Sequence, residues 1–440
     1  MRQGHYHLVG VAGVGMSAIA QALVHAGYDV SGSDRDVDAG RQLPILNQLA
    51  RSGIRLVPQD GQAIQAVTEA LVVSTAIEAD NPDVLAAASL SVPQRHRSDI
   101  LWMLARTKRC IAVAGTSGKS TVTAMIGHIL TETGYDPLVI NGAPLLNWRT
   151  PDCVGNFRAG AGAFSVIEAD ESDRSLLRFS PQRAVITNAS ADHFDLAETA
   201  SIFETFTAQV SEDVVAAWRT PERFAPSDVL CSADGLEFNY AGQALTMPVM
   251  GEHNALNAAL AIETCMRIGV TAQAAAQALR EFRGVHRRLE RVGVGGGVTV
   301  FDDYSHNPAK IAAACSALLP HFAALHVIWR PHGYGPLRVM GDALAQTFGT
   351  LLRPDDHLQV LPVYDVGGTA DRSVTHLDFV GACERLGVPT TASDDYDAVC
   401  AQLSAHTRPG HAVLVMGARD PYLPDLAKRL VAACSARSAS

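Results

Sequence analysis

The chain has 440 residues, 48% of them hydrophobic and 18% charged, with a formal net charge of −10. Such a length exceeds one ordinary core and predicts about two to four domains, while the apolar content excludes a disordered chain. The acidic balance is spread without blocks, which argues against a nucleic-acid partner.

Residues 6–107 alternate short apolar runs (His7–Val11, Asp29–Gly32, Ala70–Ser74) with helix-period segments such as Met16–Ala26 and Pro82–Ala88. Strands separated by helices imply a parallel sheet. After the first strand, Gly13-Val14-Gly15-Met16-Ser17-Ala18 fits G-x-G-x-x-A, and Asp34 ends the next strand near the distance expected for a ribose contact. Alone, this loop points to a dinucleotide cofactor and an NAD-dependent oxidoreductase; its glycines can equally serve close helix-on-strand packing.

A second unit begins near Lys108. The apolar run Cys110–Val113 leads into Ala114-Gly115-Thr116-Ser117-Gly118-Lys119-Ser120-Thr121 and then the helix-like Val122–Leu130. In a strand, turn and helix of this kind, backbone N–H groups and the positive end of the helix surround phosphate oxygens, the lysine reaches the terminal phosphate and the hydroxyl after it ligates Mg²⁺. Gly115 to Thr121 are therefore the candidate ATP loop, although Val113 stands where the strict pattern has glycine. A Gly-Ser turn with a solvated lysine is the plain alternative. Hydride transfer has no use for a magnesium-bound triphosphate, so the two loops together imply two nucleotides: a diphosphate-linked substrate on the first domain and a triphosphate on the second.

The strand-like Phe164–Ile167 runs into Glu168-Ala169-Asp170-Glu171-Ser172-Asp173, four carboxylates at a strand end. Mg²⁺ usually takes one or two carboxylates beside phosphate oxygens and water, and Glu168, first off the strand, is the candidate; a solvated acidic turn is the alternative. Arg183–Thr187 reads as another strand, with Asp192 and His193 beyond its end, where α/β sheets bind ligands. Asn254 and Asn257 share one face of a helix predicted to Ile268 and can read an adenine edge, though capping is the simpler reading. The adjacent Arg287 and Arg288 suit bidentate phosphate contacts, and glycine-rich Gly293–Gly297 closes the unit.

The third unit opens with Val298–Phe301 and repeats the rhythm at His326–Trp329, His357–Leu361 and His411–Met416. Asp302-Asp303-Tyr304-Ser305-His306-Asn307-Pro308 follows its first strand, where acid, histidine and tyrosine can meet an incoming amine. Three α/β domains result, at 1–107, 108–296 and 297–440. Eight scattered cysteines without CxxC predict unpaired thiols in a reducing compartment, and no uncharged run is long enough to span a bilayer. A cytoplasmic enzyme without a membrane partner is the expectation.

Together these segments resemble the Mur ligases, the ATP-dependent amide-forming enzymes of peptidoglycan precursor synthesis, and in particular those that add L-alanine or a recycled tripeptide to UDP-N-acetylmuramate. The segments are Gly10–Ser17, Ser31–Asp34, Ser74–Ile77, Gly115–Thr121, Glu168–Ser172, Thr187–Asp195 and Met416–Ala418. The resemblance implies a Rossmann-like N-terminal domain that holds the UDP-sugar through Gly13, Gly15, Met16, Ser17, Ser33, Asp34, Ser74 and Thr75. It implies a central P-loop domain for ATP and Mg²⁺: Lys119 on the β/γ-phosphates, Ser120, Glu168 and His193 at the metal, Asn254 and Asn257 at adenine, and Arg288 at the γ-phosphate. Lys119, His193 and Arg288 are the implied catalytic residues. A Rossmann-like C-terminal domain would receive an amino acid or short peptide near Tyr304, His306, His332 and Arg338, in a monomer or homodimer.

Departures from the resemblance are local. Ser117 and Asn307 stand where alanine-adding relatives usually have histidine, and Gly333 and Pro336 where they have the arginines associated with the acceptor carboxylate. Arg338 is a candidate to substitute for those arginines; a site for a different amino acid or a peptide is the alternative.

Overall fold

Apolar runs flanked by glycines and helix caps become buried strands, and the helices between them cover both faces of three sheets. The computed structural model describes residues 3–190, 194–365 and 371–438. The first sheet contains β1 (Gln3–Val9), β2 (Tyr28–Ser33), β3 (Arg55–Val57), β4 (Thr68–Val73) and β5 (Gln94–His96), all parallel, in the order β3-β2-β1-β4-β5. The order reverses at β1, so the glycine loop after it opens at the switch point where α/β sheets receive ligands.

The second sheet is built from β6 (Arg109–Ala114), β7 (Leu138–Ile140), β8 (Phe157–Arg158), β9 (Phe164–Glu168), β10 (Arg183–Ile186) and β11 (Asp213–Ala216), ordered β11-β10-β6-β9-β7-β8 and parallel except for β8. Cys110 to Ala114 are buried without alternation, as a central parallel strand covered on both faces requires. A three-stranded sheet of β12 (Ser227–Ser232), β13 (Gly235–Tyr240) and β14 (Gln243–Met247) follows.

The last sheet comprises β15 (Glu290–Gly295), β16 (Val298–Asp303), β17 (Leu325–Trp329), β18 (His357–Val360), β19 (Thr390–Ala392) and β20 (Ala412–Met416), in the order β15-β16-β20-β17-β18-β19. Only β15 is antiparallel. The glycines expected to close the preceding unit instead make a hairpin, with Gly296 and Gly297 at φ 55° and 78° in its turn.

The chain forms two compact units, one of residues 1–228, 238–247 and 255–285, the other of residues 229–237, 248–254 and 286–440. In the first, one continuous core runs from Tyr6, Leu8 and Leu23 to Ile167, Phe179 and Phe206, so the first two sheets share their packing. In the second, Phe301, Trp329 and Phe348 fill one face of the last sheet and Val300, Val413 and Leu426 the other. All eight cysteines are free thiols, and among the described residues no helix is long and apolar enough to cross a membrane.

Candidate active site

In the first unit, β6 ends at Ala114 and the helix Lys119–Glu132 begins after Gly118, which sits in the left-handed region at φ 85°. Two glycines make the intervening loop possible. A Cβ on Gly115 would overlap Thr187 Oγ1, and one on Gly118 would lie 2.6 Å from Asn257 Oδ1. The loop is tied down from β10's end: Asn188 Oδ1 accepts the Ser117 N–H (3.0 Å), Asn188 Nδ2 and Thr187 Oγ1 donate to the Ser117 carbonyl (2.9 and 2.6 Å), and Thr116 Oγ1 accepts from Ser190 N (3.0 Å).

Lys119 Nζ donates to Gly115 O (2.9 Å) and pairs with Glu171 Oε2 (2.7 Å). Burial works against its charge, but Glu171, Asp170 and Glu168 outweigh it and hold the ammonium above the ordinary lysine value. Glu171 is 3% exposed, and burial raises its pKa against the pull of Lys119. Lys119 is thus held by a partly desolvated carboxylate.

Glu168 ends β9 beside β6 and accepts the Gly142 N–H through Oε2 (2.9 Å). It lines a cavity of about 200 Å³ with Asn141, Gly142, Asp170, Arg97, Val14 and Gly15, which brings the acidic strand end and the first glycine loop to one place. Arg97, which the motif reading passed over, bridges them. Its NH2 donates to Asp170 Oδ2 (2.8 Å) and Asp173 Oδ2 (3.4 Å), and its NH1 would be 3.1 Å from a Cβ on Gly15. Although burial opposes it, Lys119 and Arg97 together bring the Asp170 carboxyl down to about 2.

In the first loop, Gly13 caps the helix Val14–His25, whose first-turn N–H groups have no partner within the helix. Met16 and Ser17 are buried, and Asn156 Nδ2 donates to Ser17 Oγ (2.9 Å) and Val14 O (2.8 Å), clamping the helix start. Asp34 Oδ2 accepts the Ala12 N–H (2.9 Å) while its Oδ1 caps the next short helix at Asp36 N (3.0 Å); burial raises its pKa despite these bonds. Ser33 instead faces the interior, donating to Asp83 Oδ2 (2.5 Å) beside His7. Ser74 and Thr75 follow β4, and Ile77 of the same turn lies 3.5 Å from where a Cβ on Gly10 would be.

Asn257 lies against Gly118, whereas Asn254 belongs to the second unit, where its amide donates to Met250 O (2.8 Å). Asp192 and His193 lie outside the described residues.

In the second unit, Arg287 and Arg288 both stack on Tyr304, at 5.2 and 5.5 Å from its ring centroid. Arg287 is buried, with Nε on Asp302 Oδ1 (3.1 Å); burial nevertheless raises the Asp302 pKa. Arg288 is exposed. His306 and His332 meet edge to face at 4.8 Å, with Tyr304 next to His306. Arg338 lies apart on an exposed face, paired with Asp371.

The fold and the loop define a nucleotide-dependent α/β enzyme, and three family descriptions match the chain in order: "Mur ligase family, catalytic domain" over residues 5–109, "Mur ligase middle domain" over 113–208 and "Mur ligase, glutamate ligase domain" over 287–419. The chain is 33% identical to a UDP-N-acetylmuramate--L-alanine ligase of Cyanothece sp., across 94% of this chain and 92% of that protein. It is 34% identical to one of Paenarthrobacter aurescens, across 95% and 94%. Its fold matches the crystal structure of UDP-N-acetylmuramate-alanine ligase from Thermotoga maritima with a TM-score of 0.81, 25% identity and complete coverage of both chains. A murein peptide ligase from Psychrobacter arcticus shares the fold at a TM-score of 0.67 and 22% identity, over 98% of this chain and 99% of that one. The chain belongs to the Mur ligase family. It is an ATP-dependent ligase with that family's three α/β domains.

Proposed function

We propose that the chain joins an amino acid, L-alanine foremost, to the carboxylate of UDP-N-acetylmuramate with ATP, in cytoplasmic peptidoglycan precursor synthesis. The observation that carries this reading is the cavity in which the first glycine loop meets Glu168 and Asp170, next to the Lys119 loop. Relatives named for this reaction along nearly the whole chain support it.

On this reading the backbone of Gly115–Ser120 cradles the triphosphate, Asn257 borders the same loop, and the helix start after Gly13 takes the diphosphate of the nucleotide sugar. Lys119 exchanges Glu171 for the β/γ-phosphates. Among the described residues no cluster of three acidic, histidine or cysteine side chains can hold a metal alone; a site of Glu168, the Ser120 hydroxyl, phosphate oxygens and water suits Mg²⁺, which prefers few protein carboxylates. Bound there, Mg²⁺ supplies the charge that lets a carboxylate approach the γ-phosphate.

A carboxylate oxygen of the sugar's lactyl group attacks the γ-phosphorus, and ADP leaves. The acceptor amine then attacks the acyl carbon, loses a proton, and phosphate departs with the former carboxylate oxygen. Little covalent work falls to side chains: positioning and fixed positive charge lower the barrier.

Phosphate release from ATP with UDP-N-acetylmuramate and a panel of single amino acids and peptides tests the reading. Release that requires both co-substrates, fastest with L-alanine, is expected; release with none of the acceptors removes it. Gly333 and Pro336 motivate a second reading with a peptide acceptor, which a tripeptide outrunning L-alanine would select.

A further inference from the structure

In the second unit the backbone on either side of Arg419 is fixed, while the side chain itself stays exposed. Arg419 lies in the turn after β20, and both sides of that turn are anchored. Before it, the carbonyl oxygens of Gly417 and Ala418 accept N–H groups of the buried Arg287. After it, Asp420, 1% exposed, takes hydrogen bonds from Arg330, Tyr396 and the Tyr422 N–H. The path is further set at Gly417, at φ 152°, where a Cβ would approach Arg330 O to 3.0 Å. Between these anchors the exposed Arg419 side chain has no hydrogen bond or ion pair among the described residues.

Arg419 and Lys310 both act on the imidazole of His332. Arg419 NH1 would be 3.8 Å from a Cβ on Gly333, so the guanidinium borders the space that a side chain there would enter. Next to Gly333, burial and then His306, Arg419 and Lys310 push the His332 imidazole down to about 4. The nearby carboxylates are already engaged: Asp303 by Leu289 N (2.6 Å) and Ser305 N (2.8 Å), Asp302 by Arg287, Asp420 by Arg330. These groups follow the ends of β16, β20 and β17, neighbours in the sheet, where parallel strands present their ligand crevice.

We propose that Arg419 is the anchor for the acceptor's carboxylate, from a place in the fold that leaves residue 333 free to be glycine. The inference rests on the ligase reading above. It displaces Arg338, which the structure commits to an exposed pair with Asp371.

The test is steady-state phosphate release by wild type, Arg419→Ala, Arg419→Lys and Arg338→Ala, with L-alanine and with L-alaninamide, which keeps the amine and lacks the carboxylate. Loss of one charge-assisted contact predicts an acceptor KM raised about tenfold or more in Arg419→Ala, with the ATP KM within about twofold of wild type. Arg419→Lys should recover part of the loss, and the wild-type preference for L-alanine over its amide should collapse in Arg419→Ala. A purely structural role would not move that preference. An acceptor KM unchanged in Arg419→Ala, or raised more in Arg338→Ala, overturns the inference while the ligase reading stands. A wild type that releases phosphate with no acceptor overturns both.

Discussion

Lys119 shows how one residue serves fold and chemistry at once. Its ammonium neutralises Glu171 and ties back to Gly115, which keeps the loop's only lysine out of solvent and in position. On the proposed mechanism, Lys119→Ala removes the cation that meets the transferring phosphate. It is expected to slow phosphate release about a hundredfold or more, a loss typical of removing one preorganised charge partner; stopped-flow phosphate detection showing near-normal turnover would take the loop out of the mechanism. His326 makes a different prediction. Burial, with His411 adding to it, pushes its imidazole from 6.5 down to about 4, so below pH 6.5 the unfolded chain binds a proton that the folded one refuses. Stability that is intact above 6.5 is therefore lost as the pH falls towards 4, by about 3 kcal/mol for this group. Urea unfolding across that window should show a smaller loss in His326→Gln than in wild type; parallel pH profiles would mean that His326 is not held neutral.

At the scale of elements, the strand, turn and helix around Gly115–Ser120 depend on two positions where a side chain cannot fit. Gly115→Ala would drive a Cβ into Thr187 Oγ1 at φ 127°, whereas Gly134→Ala, at φ 81° beyond the same helix, meets nothing within 4 Å. The second substitution should cost about 1 kcal/mol of left-handed strain and keep ATP binding. The first should cost more and abolish binding measured by calorimetry with Mg²⁺; equal effects would show that the loop tolerates a Cβ. The motif was legible because its glycines, lysine and hydroxyl are contiguous and an apolar strand precedes them. Arg97 was not: its contact with Asp170 spans 73 residues of sequence and exists only once the first two sheets share a core. The β15–β16 hairpin was legible in principle, since alternating residues flank Gly296-Gly297, but the same glycines also read as a linker.

At the scale of the whole molecule, the parallel sheets followed from the alternation of strand and helix, and the family from ordered motifs. Strand order did not. Nothing local in Ala412–Met416 says that it enters between β16 and β17, yet that insertion carries Arg419 to the same sheet end as His332 and Tyr304. Sequence alone points to Arg338 for the acceptor carboxylate and not to Arg419, because which guanidinium finds an acid on the surface is not written locally. The proposed chemistry is activation of a carboxylate by phosphoryl transfer, followed by attack of an amine. Its most direct test is to run the reaction with UDP-N-acetylmuramate labelled with ¹⁸O in the lactyl carboxylate and weigh the released phosphate. With both carboxylate oxygens labelled, activation as an acyl phosphate puts one ¹⁸O into each inorganic phosphate formed and leaves the other in the amide; unlabelled phosphate, with the departing ¹⁸O found in AMP, would contradict it.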